Sequence, residues 1–277
     1  MKKSIIRSTG IFVPPNVITN HDLEKLMETS DEWIRQRTGI EQRYWIDQEG
    51  ETGASDLGFE ASKLAMKSAG WEPEDLDFII FATLSPDITF PGSGCLLQAK
   101  LGLDSTPALD IRQQCTGFLY GIATADSYIK SGLANKILLV GSEVHSSGLD
   151  KSTRGRDVSV IFGDGAAAVC IEGVQTDKNA GVLASSLHAD GNLADALMLE
   201  LPASKYPLRL PEGVQTDDAR YYPVMDGPAI FKKAVRMLPH VINESLEKAK
   251  LSLDEIDLII PHQANMRINQ ALGQFLK

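Results

Sequence analysis

The chain has 277 residues, 27 Lys and Arg against 37 Asp and Glu, a formal net charge of −10, 43% hydrophobic and 23% charged residues. This is an ordinary globular balance, long enough to bury one large core or two moderate ones, and its acidity argues against nucleic acid as a partner. Three cysteines (Cys95, Cys115, Cys170) without a CxxC pair point to the reducing cytoplasm, and away from a disulfide framework or a metal site.

From the N-terminus, Arg7 and Gly10 interrupt the first apolar stretch and Pro14-Pro15 ends it, so no signal peptide is expected. No later run approaches membrane-spanning length. Ser30 is placed to cap a helix on which Trp33 and Arg37 stand four apart and share a face. An indole beside a guanidinium can stack on a flat purine; a buried Trp33 with Arg37 in a surface ion pair is the plainer alternative. A helix marked by Leu57, Ala61, Leu64 and Ala65 follows, then an acidic turn, a short apolar strand through Phe78-Ile-Ile-Phe81, and a second helical pattern ending at Gly102. Strands are expected at Pro107–Ile111, Lys136–Gly141 and Ala166–Glu172. Between the first of these and a helix over Thr116–Ile129 stands Cys115. A thiol at a strand-to-helix junction meets the positive end of the helix dipole, which favours thiolate and makes a nucleophile. A small buried core residue is the alternative.

The chain echoes itself. Ala69-Gly-Trp-Glu-Pro-Glu-Asp-Leu-Asp-Phe-Ile-Ile-Phe81 resembles Ala249-Lys-Leu-Ser-Leu-Asp-Glu-Ile-Asp-Leu-Ile-Ile-Pro261, so Asp77 pairs with Asp257 and Ile80 with Ile260 (257 − 77 = 260 − 80 = 180). The second copy opens on a helix with Ala234, Leu238 and Ile242 on one face. The reading is an α/β protein of two related halves, 1–172 and 173–277. The second half, with no counterparts of the strands after Gly102 and with Lys277 in mid-helix, is expected to be incomplete and poorly held unless a partner or a rearrangement covers its apolar faces. Leu199–Tyr222, rich in Pro and polar residues, is expected to be a long surface excursion.

Four motifs occur in order: Thr29-Ser-Asp-Glu-Trp-Ile-Arg-Gln-Arg-Thr-Gly-Ile40, Gln114-Cys-Thr-Gly-Phe118, Ile161-Phe-Gly-Asp-Gly-Ala166 and Pro261-His-Gln-Ala-Asn-Met-Arg-Ile268. Over its whole length the chain resembles β-ketoacyl-acyl-carrier-protein synthase III, the initiating condensing enzyme of bacterial fatty acid synthesis, in the thiolase-like superfamily. The resemblance implies duplicated βαβαβ-type halves layered αβαβα, the second half incomplete here. It implies decarboxylative Claisen condensation of an acyl-CoA with malonyl-acyl-carrier protein through an acyl-cysteine. Cys115 would take the acyl group and His262 would donate to the thioester oxygen. Trp33, Arg37 and Arg156 would bind coenzyme A, with Phe231 and Asn265 along the pantetheine tunnel. Phe90 would reach across a homodimer interface to shape the partner's acyl pocket. Lys232, Lys233, Arg236 and Arg267 would meet an acidic carrier protein, or form an ordinary solvated face. Acyl-CoA would be a substrate, with no cofactor permanently bound. His21, His145, His188 and His240 carry no comparable motif and read as structural.

The chain also departs from the family pattern. Gln113 and Gln114 stand where small residues are frequent, Thr116 replaces a frequent alanine, and Asp226 and Pro228 replace asparagines. The family's Asn-Thr-Ser segment and a Gly-rich segment have no counterpart in the 277 residues. The full-length protein is therefore expected to condense, and residues 1–277 alone to load an acyl group without elongating it. Acyl transfer to a small alcohol or amine, non-decarboxylative condensation, and a non-catalytic partner subunit remain open alternatives.

Overall fold

The computed structural model describes residues 2–47, 49–205 and 218–276. Its sheet follows from short apolar runs that alternate at period two between two helical layers. The elements are β1 (Lys2–Phe12), β2 (Val17–Thr19), α1 (Asn20–Glu24), α2 (Asp31–Thr38), β3 (Gln42–Tyr44), α3 (Ala54–Ala69), β4 (Phe78–Ala82), α4 (Ser93–Lys100), β5 (Ala108–Ile111), α5 (Gly117–Ser131), β6 (Lys136–Glu143), α6 (Arg156–Ser159) and β7 (Gly165–Gln175). The two-residue β8 (Leu197–Met198) and β9 (Val224–Met225), then α7 (Gly227–Ala249) and α8 (Met266–Phe275), complete the chain.

One five-stranded sheet runs β1-β7-β6-β4-β5. β4 lies parallel to both β5 and β6, while β7 is antiparallel to β6 and β1. Side chains alternate across it. Ile79 and Phe81 of β4, Leu138 and Val140 of β6, and Ala168 and Cys170 of β7 pack with Leu57, Ala61 and Ala65 of α3 and Leu97 of α4. Ile80, Ile137, Leu139, Val169 and Ile171 face the other way, onto Ala125 and Ile129 of α5. Each of these large apolar side chains contributes about 1.5–3 kcal/mol by leaving water. A third cluster lies beside the sheet: Leu23, Met27, Ile34, Trp45, Leu149, Val158 and Val160, with Trp33 and Phe162 packed against it.

The echo is visible down to its turns. Glu72 and Asp75 close a capping box before β4, and Ser252 and Glu255, each 180 residues on (252 − 72 = 255 − 75), close the equivalent box. There the likeness stops. Ile256–Ile260, the second copy's counterpart of the strand through Phe78–Phe81, joins no ladder among the described residues, and Leu258 and Ile260 are exposed. A strand is stable only with hydrogen-bonded neighbours, and no strand of the sheet lies against this one. Beyond Gln175 the only buried described residues are Ala196, Leu201, Pro239 and Leu272. Ala234, Leu238 and Ile242 of α7 are half-buried. Of the expected excursion Leu199–Tyr222, residues 206–217 lie outside the described residues, as does Lys277. No described helix is long and apolar enough to cross a membrane.

Candidate active site

Three parallel strands deliver their carboxyl ends to one place, where open α/β sheets put their ligands. Leu84, Ser85, Pro86 and Asp87 follow β4; Arg112, Gln114 and Cys115 follow β5; Val144, His145, Ser147 and Gly148 follow β6. Together with Leu149, Phe162, Leu197, Met198 and Leu199 they line a cavity of about 690 Å³, within the range that encloses a small ligand.

Cys115 sits in a single 3₁₀ turn, Gln114–Thr116, that feeds α5. The residue before it, Gln114, has φ +43°, a left-handed backbone that is strained for any side chain with a Cβ. The strained turn between strand and helix keeps the Cys115 thiol exposed, whereas Cys170 is buried in β7. The expected thiolate is not favoured here. Although the residue is open to the cavity, the protein packed around its sulfur desolvates the thiolate and pushes the Cys115 thiol above its ordinary 9.0; the Glu143 carboxylate pushes it the same way, with only a backbone N–H opposing. A helix end supplies about half a charge, while Glu143, invisible to a local reading, supplies a whole one.

Glu143 closes β6 and is fixed on the post-β4 loop. Its carboxylate accepts from Leu84 N (3.0 Å), Ser85 N (3.2 Å) and Ser85 Oγ (2.5 Å). Two residues on, His145 meets the edge of Phe162 at 4.7 Å between ring centroids. Its Nε2 stands 3.9 Å from Glu143 Oε2, too far for a hydrogen bond. Asp164, 5% exposed, holds this loop. One oxygen accepts from His145 N (2.7 Å) and Ser146 N (2.9 Å), the other from Ile46 N (2.7 Å) and Ser146 Oγ (2.5 Å).

The residues expected to bind a purine do gather. Ser30 caps α2 by accepting from Trp33 N at 3.1 Å. Arg37 lies 4.3 Å and Arg156 4.8 Å from the Trp33 ring centroid, and Arg156 also donates to the Glu28 carbonyl at 2.9 Å. Leu149 and Phe162 belong both to the cavity wall and to the apolar cluster under Trp33.

His262, Phe231, Asn265 and Phe90 are not among the residues lining the Cys115 cavity. His262 is exposed, and partial desolvation lowers its ring below the ordinary 6.5, so at pH 7 the imidazole is neutral. Asn265 caps α8 by accepting from Arg267 N (2.9 Å). The segment after His262 docks on α2: Arg267 donates to the Gln36 carbonyl at 3.0 Å, and Met266 covers Gly39. Gly39 has φ +79°, and a Cβ there would come within 2.9 Å of the Met266 Cβ. His262 is thus tethered beside the helix that carries Trp33 and Arg37. Phe231 is half-buried on α7, and Phe90 is 79% exposed. Lys232 and Arg236 face solvent, while Lys233 is paired with Asp190 at 2.6 Å.

A profile of the 3-oxoacyl-[acyl-carrier-protein (ACP)] synthase III family matches residues 109–191, which hold Cys115, Glu143, His145 and Asp164. Over 274 residues the chain is 41% identical to the β-ketoacyl-[acyl-carrier-protein] synthase III of Methylococcus capsulatus, covering 99% of this chain and 81% of that protein. The chain belongs to the β-ketoacyl-[acyl-carrier-protein] synthase III family. A relative of the same name from Fusobacterium nucleatum is 42% identical over 273 residues, 98% of this chain and 80% of its own. The crystal structure of 3-oxoacyl-[acyl-carrier-protein] synthase III from Aquifex aeolicus VF5 superposes with a TM-score of 0.86 at 39% identity, covering all of this chain and 81% of its own. The fold is therefore thiolase-like. Members of the synthase III family are acyltransferases that perform the Claisen condensation of acyl-CoA with malonyl-carrier protein in fatty acid biosynthesis.

Within this family setting, sequence reasoning passed over Glu143, His145 and Asp164. The signal was present: Ser142-Glu-Val-His145 is a polar run at the carboxyl end of an apolar strand, where ligands of such sheets bind.

Proposed function

We propose that Cys115 takes an acyl group from acyl-CoA and passes it to the carbanion of decarboxylated malonyl-carrier protein, in a ping-pong reaction. In the first half, Cys115 Sγ bonds to the thioester carbon, the bond to the coenzyme A sulfur breaks, and the thiol proton leaves with coenzyme A. Trp33, Arg37 and Arg156 stack on the adenine and neutralise phosphates, and Phe231 and Asn265 lie along the pantetheine. In the second half the malonyl carboxylate leaves as carbon dioxide, the enolate carbon bonds to the thioester carbon, the bond to Cys115 Sγ breaks and the sulfur takes up a proton. A neutral His262 donates an N–H to the thioester oxygen as the enolate forms, a contribution of about 2.7–4 kcal/mol per donor in comparable sites. Lys232, Arg236 and Arg267, with Lys233 shared with Asp190, steer the acidic carrier protein. The protein works in the cytoplasm as a homodimer with Phe90 closing the partner's acyl pocket, and it holds no permanent cofactor.

The observation that carries the reading is the exposed Cys115 thiol in a cavity at the carboxyl ends of β4, β5 and β6, among the residues the family profile matches. Mixing the protein with acyl-CoA and no carrier protein should release one coenzyme A per chain and then stop. A Cys115→Ser variant should release none. Continuous release, or a burst that survives the substitution, would refute the ping-pong route.

A further inference from the structure

Polar side chains in the wall of the Cys115 cavity are mostly spoken for. Ser85 Oγ donates to Glu143 and accepts from Val144 N, and Asp87 accepts from Ser55 N and Oγ. Arg112 and Gln114 are exposed at the turn before the nucleophile. His145 stands apart as the titratable ring in this wall. Its side chain is only 17% exposed and lines the cavity, its Nε2 stands 3.9 Å from Glu143 Oε2, beyond hydrogen-bond reach, and its ring nitrogens stay open to the cavity. The ring is held in place all the same, by the edge of Phe162 and by the grip of Asp164 on its backbone. An imidazole fixed by its ring contact and its backbone, with its nitrogens open to the cavity that holds Cys115, is preorganised to meet a polar atom of the acyl group.

We infer that His145 selects acyl groups bearing a hydroxyl: the cavity takes a short hydroxyacyl chain in preference to a plain alkyl one, with the hydroxyl hydrogen-bonded to the imidazole. The choice of hydroxyl over carboxylate rests on charge. Desolvation lowers the ring's pKa below its ordinary 6.5, leaving it neutral at pH 7. The Glu143 carboxylate 3.9 Å away would repel an anion. A hydroxyl both donates and accepts, so it suits either tautomer of the neutral ring. A site with a polar group that must be paired rejects the analogue that lacks the matching group.

The inference rests on the proposed loading of Cys115, and the test separates the two. The protein is mixed with butyryl-CoA, 3-hydroxybutyryl-CoA or succinyl-CoA, and the rate of each mass increment on the chain is followed. The expected result is loading of the hydroxyacyl group roughly tenfold faster than butyryl, the discrimination of about one hydrogen bond. That ratio should collapse in His145→Leu and be partly kept in His145→Gln, which retains a hydrogen-bonding group. Equal rates in the natural protein, a ratio unchanged in His145→Leu, or preferential loading of succinyl through Arg112 would each overturn the inference while leaving acyl transfer intact. No increment with any of the three would sink both.

Discussion

Replacing Asp164 by Asn probes how the cavity wall is held. The carboxylate accepts two donors on each oxygen: His145 N and Ser146 N on one, Ile46 N and Ser146 Oγ on the other. An amide offers a single oxygen, so in either orientation its NH₂ faces one of these pairs. A buried donor deprived of its acceptor costs about 1–3 kcal/mol. The Ser146 hydroxyl can turn to accept, so the cheaper orientation leaves about one backbone N–H orphaned, and the remaining bonds lose their charge assistance. The sum is about 2–4 kcal/mol, a large share of the roughly 5–15 kcal/mol that holds a protein folded. Urea denaturation followed by circular dichroism should show the midpoint falling at constant slope, and Cys115 loading should slow because His145 and Ser146 are no longer pinned. A loss below about 0.5 kcal/mol, typical of a neutral surface change, would refute the reasoning.

Other outcomes follow from the same geometry. Because burial and Glu143 raise the Cys115 thiol above 9.0, its thiolate fraction grows only as pH climbs past that value. Alkylation by iodoacetamide should therefore accelerate with a midpoint above 9.0, and Glu143→Gln should move it down; a midpoint near 7 would contradict this. Trp33→Ala removes the ring beneath Arg37 and Arg156 and should raise the KM for acyl-CoA roughly 5- to 30-fold, about 1–2 kcal/mol, leaving iodoacetamide alkylation of Cys115 unaltered. Gly121→Ala sets a Cβ 2.4 Å from Leu139 Cδ1 at the contact between α5 and β6, and thermal denaturation should register a loss of about 1–3 kcal/mol from overpacking.

What the sequence disclosed was local. The strand, turn and helix around Cys115 could be read because the apolar run 107–111 and the helical pattern after Thr116 are contiguous, and Ser30 foretold the start of α2 because a cap acts within three residues. The run Ile256–Ile260 looks as strand-like as Phe78–Ala82, yet only the latter has neighbours in β5 and β6. Hydrophobicity reports a wish for burial and is silent on the partner. His145 was signalled only by its place at the carboxyl end of an apolar strand, since a lone histidine has no spacing of its own; Asp164, 19 residues along the chain, fixes where it stands. The Cys115 thiol was misjudged for the same reason, since the packing that desolvates it and, second, the Glu143 charge both come from other parts of the fold.

The most direct trial of the account locates the acyl group itself. After incubation with acyl-CoA, proteolysis and tandem mass spectrometry should place a single thioester on Cys115, with Cys95 and Cys170 unmodified. An acyl group on either of those residues, or on none of the three, would contradict the assignment of the β5–α5 turn as the site of chemistry.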